Sequence, residues 1–254
     1  MTEALGIVVP SVALFAAYVW LARGAGRPAD RSDTPAARTR GVRVASPWPW
    51  TRTACFAGGL AAIGLGVGLD DISLPVHMAG HGVVVAVGAP LIVLSRSVTL
   101  LLRSLPKPAA RDLAAALRSP WLDRLLWPPL AFAAFVGAQL AFHWTPLFWD
   151  ALREEGLHVA EHAIFLVTAL WFWSVCLAVE PLPGRWDPWA RAGLLMAAMS
   201  ASDSGAIKLM LDGYGSAGVA MLASMLPLGL GAAGIAWAAV VREERRAKRT
   251  VAHA

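Results

Sequence analysis

Apolar residues run along this chain in long blocks separated by short polar stretches. Seven blocks approach the roughly 20 residues a helix needs to cross a bilayer. They cover residues 4–22, 53–69, 74–95, 124–143, 157–179, 189–211 and 216–241. The second is the shortest and is rich in glycine. The blocks are too long for barrel strands, which alternate over about ten residues. The first has neither a basic stretch before it nor a small-residue cleavage motif near its end, so it reads as a span and not as a cleaved signal. The pattern predicts an all-α, polytopic membrane protein with seven transmembrane helices forming a single domain over residues 1–254.

The polar stretches carry their own signals. Residues 23–52 are rich in proline and arginine and read as an irregular linker. The segment "SLPKPAARDLAAALRSP" (104–120) holds a short amphipathic helix between prolines, suited to the membrane interface. Residues 242–254 form a basic, solvated tail. Composition agrees with a membrane chain: 57% of residues are hydrophobic and only 15% charged, against about 25% charged in soluble domains. Two cysteines, Cys55 and Cys176, offer no disulfide framework.

Charge then orients the spans. Of 22 lysines and arginines, all but Arg153 and Lys208 fall on one side of a seven-span topology. Cytoplasmic loops carry that excess, which predicts an N-terminus outside and a C-terminus in the cytoplasm. The basic isoelectric point follows from this bias and calls for no nucleic-acid partner. The outer side collects acids, among them Asp70, Asp71, Asp150, Glu154 and Glu155.

With that orientation, five of the six histidines share one outer layer. His77 and His81 begin the third span, His143 ends the fourth, and His158 and His162 begin the fifth, while His253 lies in the tail. Residues four apart share a helix face, so each pair can aim two imidazoles the same way, with His143 joining from a third helix. Ionisable groups in spans tend to be functional, and imidazole is the commonest metal ligand. The constellation predicts a metal site. Glu161, three residues after His158, has three readings: a ligand, an acceptor that orients an imidazole, or an outer-surface charge.

The stretches "HMAGHGVVVAVGAPLIVLSR" (77–96), "FHWTPLFWDALRE" (142–154) and "LHVAEHAIFLVTALWFW" (157–173) resemble the CtaG family of cytochrome c oxidase assembly factors, seven-span proteins of bacterial membranes. The likeness covers about residues 74–175. It implies that His77, His81, His143, His158, Glu161 and His162 form the family's polar signature. It further implies a non-enzymatic copper chaperone in the bacterial cell membrane. Such a protein serves the copper B centre of a haem–copper oxidase, with the oxidase's catalytic subunit as partner and an extracytoplasmic protein as copper donor.

The residues themselves favour copper only slightly. Met78, Met199, Met210, Met221 and Met225 all fall in outer halves of spans, and thioether with imidazole suits Cu(I), whereas imidazole with carboxylate also suits zinc. A zinc-dependent membrane hydrolase, with "SASDSG" (200–205) supplying Ser and Asp, is the alternative. A b-type haem protein is less favoured, because a haem pair across a membrane wants histidines at two depths and only one layer is present. Asp203, in the outer half of the sixth span, is too short to reach the headgroups. It is expected to face the histidine layer as a supporting group, or less favourably as a ligand. A protonated or hydrogen-bonded Asp203 among Ser200, Ser202 and Ser204 is the competing reading.

Overall fold

A computed structural model of the chain describes residues 2–25, 47–69 and 72–251. Most of the 23–52 linker, Asp70, Asp71 and His253 lie outside the described residues. The described residues form helices and turns, with no strand among them. Helices α1 (Thr2–Gly24) and α2 (Trp50–Gly68) come first. A rod follows, made of α3 (Leu74–Gly82), a π-helical segment (Val83–Gly88) and α4 (Ala89–Leu94). Short helices α5 (Ser97–Ser104), α6 (Lys107–Ala116) and α7 (Pro120–Leu125) lead to α8 (Pro128–His143). Then come α9 (Leu147–Ala151), α10 (Glu155–Leu177), α11 (Pro188–Leu211) and α12 (Gly215–Val251).

Helical structure thus stands on each of the seven apolar blocks. Among the described residues, the stretches Leu74–Ser104, Glu155–Leu177, Pro188–Leu211 and Gly215–Thr250 are long and apolar enough to cross a membrane. The fourth block turns helical later than the apolar pattern predicts, for an identifiable reason. Helix α8 starts at Pro128 and not at residue 124, because the Pro128–Pro129 pair suits a helix N-terminus and not its interior. The third block ends where the pattern predicts: its last helix, α4, stops at Leu94, and Arg96 takes a left-handed backbone (φ 56°), after which the chain resumes as α5. The amphipathic segment forms α6 as expected, and α12 continues into the basic tail, where residues 242–250 are exposed.

The π segment has a local cause. The Ala89 amide reaches back five residues to the Val84 carbonyl. In that register the Val85 carbonyl would accept from residue 90, but Pro90 has no N–H. Trp173 Nε1 donates to the Val85 carbonyl instead, at 2.8 Å. One α10 side chain therefore completes the rod's backbone bonding and pins α10 against it. Lipid tails are as apolar as the side chains, so close packing and hydrogen bonds hold membrane helices together. Accordingly, α3 and α12 meet at Gly82, where a Cβ would lie 1.9 Å from Ser224 Oγ. The core beneath is aromatic: Phe135, Phe165, Phe172 and Trp173 are buried, with Phe135 stacked on Phe172 at 4.9 Å.

Candidate metal centre

Helices α3 and α10 begin at the same end of the bundle, and their first turns bring four imidazoles together. His77 and His81 stand one turn apart on α3. Their rings meet at 4.3 Å, nearly perpendicular, and their Nε2 atoms lie 2.8 Å apart, so one ring donates and the other accepts. On α10, His158 and His162 meet at 4.7 Å. Between the helices, His77 stacks on His158 at 5.2 Å and His81 on His162 at 4.6 Å. The result is a two-by-two array in which each α3 imidazole faces one from α10. His77, His81 and His162 are buried, and His158 is half-buried.

Glu161 is fully buried, with Oε1 3.8 Å from His81 Nε2. Ligand atoms of His77, His158 and Glu161 all lie within 4.8 Å of one another. Ligands of one small cation sit about 2.0–2.2 Å from it, so only a slight contraction would close this set on one ion. His162 Nδ1 donates to the His158 carbonyl at 3.1 Å, which leaves Nε2 as the ring nitrogen able to ligate. Such an outer hydrogen bond is a usual way to fix a ligating tautomer.

His143 occupies a separate niche. Its Nδ1 donates to the Gln139 carbonyl at 2.7 Å, and its Nε2 is buried with no hydrogen-bond partner. The ring stacks on Phe148 at 5.7 Å and on Phe165 at 6.0 Å. Phe148 also meets His77, at 6.2 Å, and Phe165 meets His81, at 5.1 Å. Two phenylalanines thus bridge the four-histidine array and the fifth imidazole. Behind His143, Gly205 of α11 leaves room: a Cβ there would lie 3.0 Å from His143 Cβ. The Gln139 amide and the Ser202 hydroxyl, on α8 and α11, are likewise buried and without partners.

The remaining residues singled out by sequence lie around this core. Met78 is fully buried in an apolar cluster with Phe148, Leu209 and Met221. Asp203 is half-exposed on α11, and its Oδ1 is buried without a partner. Lys208 pairs with Asp212 at 2.5 Å, so its charge is engaged away from Asp203. Sequence reasoning passed over Gln139 and Trp173. Gln139 carried a signal, being a polar residue inside an apolar span and four before His143 on the same face. Trp173 carried none, because its role depends on a carbonyl 88 positions away.

A family model described as cytochrome c oxidase caa3 assembly factor matches residues 34–214. The chain is also similar to the uncharacterized protein Mb0105 of Mycobacterium bovis and the uncharacterized protein MT0111 of Mycobacterium tuberculosis. Each is 33% identical over 169 residues, covering 62% of this chain and 26% of the relative. The matched stretch therefore spans about a quarter of the length of those relatives. No solved structure matches the chain.

Proposed function

The chain belongs to the family of cytochrome c oxidase caa3 assembly factors, and from that premise we propose that it binds copper at one membrane face and hands it to an assembling haem–copper oxidase. The observation that carries this reading is the array of four imidazoles with Glu161 among them. Imidazole is a good ligand for copper, and a site for cargo must also release it. His77 and His81, within hydrogen-bonding distance of each other, satisfy part of their own polarity without a metal. That lowers the cost of the empty state and favours exchange over permanent capture. Half-buried His158 offers the entry side. Met78 and Met221 supply a soft thioether environment near Phe148, consistent with Cu(I) over zinc. The oxidase's catalytic subunit is the partner this role requires, and an extracytoplasmic copper carrier is the natural donor.

Seven spans, with the histidine end outside and the basic ends of α11 and α12 in the cytoplasm, complete the proposal. The support is the distribution of lysine and arginine. A cysteine placed at Glu154, in a background lacking Cys55 and Cys176, is expected to react with an impermeant thiol reagent added from outside. Labelling only from the cytoplasmic side would reverse the orientation and remove the copper-delivery role.

The site itself is tested by metal analysis of protein purified without a histidine tag, with and without added Cu(I). Wild type is expected to take up copper. His158→Ala/His162→Ala is expected to lose most of it while inserting normally in the membrane. Full copper occupancy in the double variant would refute the site. Retention of zinc with exclusion of copper would select the hydrolase alternative.

A further inference from the structure

A second polar feature stands at the end of the bundle opposite the histidines. Where α10 ends, α11 begins and α12 leaves its apolar block, a cleft of about 730 Å³ opens. Four arginines line it: Arg185, Arg191, Arg242 and Arg245. No carboxylate is among its lining residues. Three of the arginines are anchored to backbone carbonyls, which hold them without neutralising them. Arg185 Nη2 donates to the Glu180 carbonyl at 2.9 Å, Arg191 Nη1 to the Cys176 carbonyl at 2.8 Å, and Arg242 Nε to the Ala238 carbonyl at 3.0 Å. Arg191 is 8% exposed, and its Nε is buried with no partner. The neighbouring acids are engaged elsewhere: Asp187 accepts from the Trp189 amide, and Glu243 from Trp189 Nε1.

Burying an arginine with donor capacity unfilled is costly unless an anion completes it. The other walls say which kind of anion. Leu177, Ile235 and Val241 line the cleft with Trp186 and Trp237, and tryptophan at this depth is typical of the headgroup region. Along the outside of α12, Leu226, Leu230 and Trp237 are exposed at 56%, 72% and 70%. Their spacing sets them along one stretch of the helix leading to the cleft. A free inorganic anion would use the arginines and leave this apolar track without a role.

We propose that this cleft binds an anionic phospholipid, with the phosphodiester among the four arginines and an acyl chain along α12. Basic pockets between helices at the cytoplasmic interface are suited to such headgroups. The site rests on the membrane reading of the chain and not on copper binding, so the two stand or fall separately.

The test uses the full chain in detergent, with Arg242→Gln/Arg245→Gln as the variant, because both side chains are exposed. Phosphatidylglycerol, phosphatidylcholine and inorganic phosphate are each titrated. Binding is read by native mass spectrometry and thermal shift, and far-UV circular dichroism with the gel-filtration profile serves as the folding control. Wild type is expected to retain and be stabilised by phosphatidylglycerol, with little response to the other two. The variant should bind phosphatidylglycerol about tenfold more weakly or worse, from the loss of two interfacial charges, with an unchanged helical spectrum and gel-filtration profile. Equal affinity in the variant, or equal stabilisation by phosphatidylcholine, would overturn the proposal. An equal response to inorganic phosphate would reduce the cleft to a free-anion site and overturn the lipid assignment.

Discussion

Two buried glutamates stand towards opposite ends of α10, Glu161 about 24 Å of helical rise before its last residue, Leu177, and Glu180 just beyond it, and they are treated in opposite ways. Glu180 lies just past the last turn. Its carboxylate accepts from the Val98 and Thr99 amides, both at 3.0 Å, and from the Thr99 hydroxyl at 2.5 Å. It caps the N-terminus of α5, where unsatisfied amides and the helix dipole favour an anion. The surroundings are equally closed: the Tyr18 hydroxyl donates to the Ser95 carbonyl, Trp48 Nε1 donates to that hydroxyl, and Arg52 and Arg103 lie over the Trp48 ring. Glu161, in the first turns of the same helix, sits instead among imidazoles, with His81 Nε2 at 3.8 Å. One glutamate faces backbone donors that can never leave. The other faces imidazoles, side chains whose chemistry suits a metal. Burial alone does not distinguish a structural carboxylate from a functional one; the chemistry of its neighbours does.

That contrast breaks most visibly at Glu180. Glu180→Ala leaves two half-buried α5 amides without their acceptor and removes three bonds to a charged group. At about 1.5–3 kcal/mol for a bond to a charge, losing even part of this set costs roughly 3 kcal/mol or more. A fall in melting temperature in detergent, with lower yield from membranes, is the expected outcome. The protein that does fold should carry the wild-type amount of copper. Glu180→Gln keeps one acceptor oxygen and should fall between the two.

At Glu161 the expected effect is reversed in kind. Glu161→Gln keeps the side-chain shape and one acceptor oxygen and removes only the charge beside His81, so thermal stability without metal should change far less than in Glu180→Ala. Copper affinity should fall about 10–100-fold, the range for groups that support metal ligands. The measurement is a competition titration with a Cu(I) chelator. A variant that loses stability as Glu180→Ala does, while keeping its copper affinity, would make the two glutamates alike and end the distinction.

How much of this was legible in the sequence follows the same division. The histidine array was, because a spacing of four puts two imidazoles on one helix face and the lysine–arginine bias set all five histidines at one depth. Depth is not azimuth, however. Nothing in residues 142–154 said that Phe148 and Phe165 would stand beside His143 and set it apart from the other four. The Glu180 cap was invisible for a different reason: its partners are about 80 positions away, and "VEPLP" reads locally as an ordinary loop. The π segment was hidden too. The run 83–94 looks uniformly apolar, and the register change emerges only when Pro90 and the Trp173 indole are placed together.

The smallest expected effect belongs to Asp203, which tests how far the functional end extends. Its Oδ1 is buried without a partner, and Lys208, the cation closest to it along α11, is taken by Asp212. A half-exposed carboxylate costs less than one at the bilayer centre, where insertion scales give about 2.5–3.5 kcal/mol, so Asp203 is tolerable but not free of cost. Two residues further along the same helix, Gly205 forms the wall behind His143. Any influence of Asp203 on copper therefore runs through the His143 niche and not through direct contact with the four-histidine array. Asp203→Asn should weaken copper binding by about tenfold, the lower end of the range for supporting groups, with little change in melting temperature. The same substitution in a His143→Ala background should add almost nothing, because the niche it acts on is already gone. Unchanged affinity in the single variant would restrict the functional end to α3 and α10. A full additional tenfold loss in the double variant would show that Asp203 reaches the array by a route independent of His143.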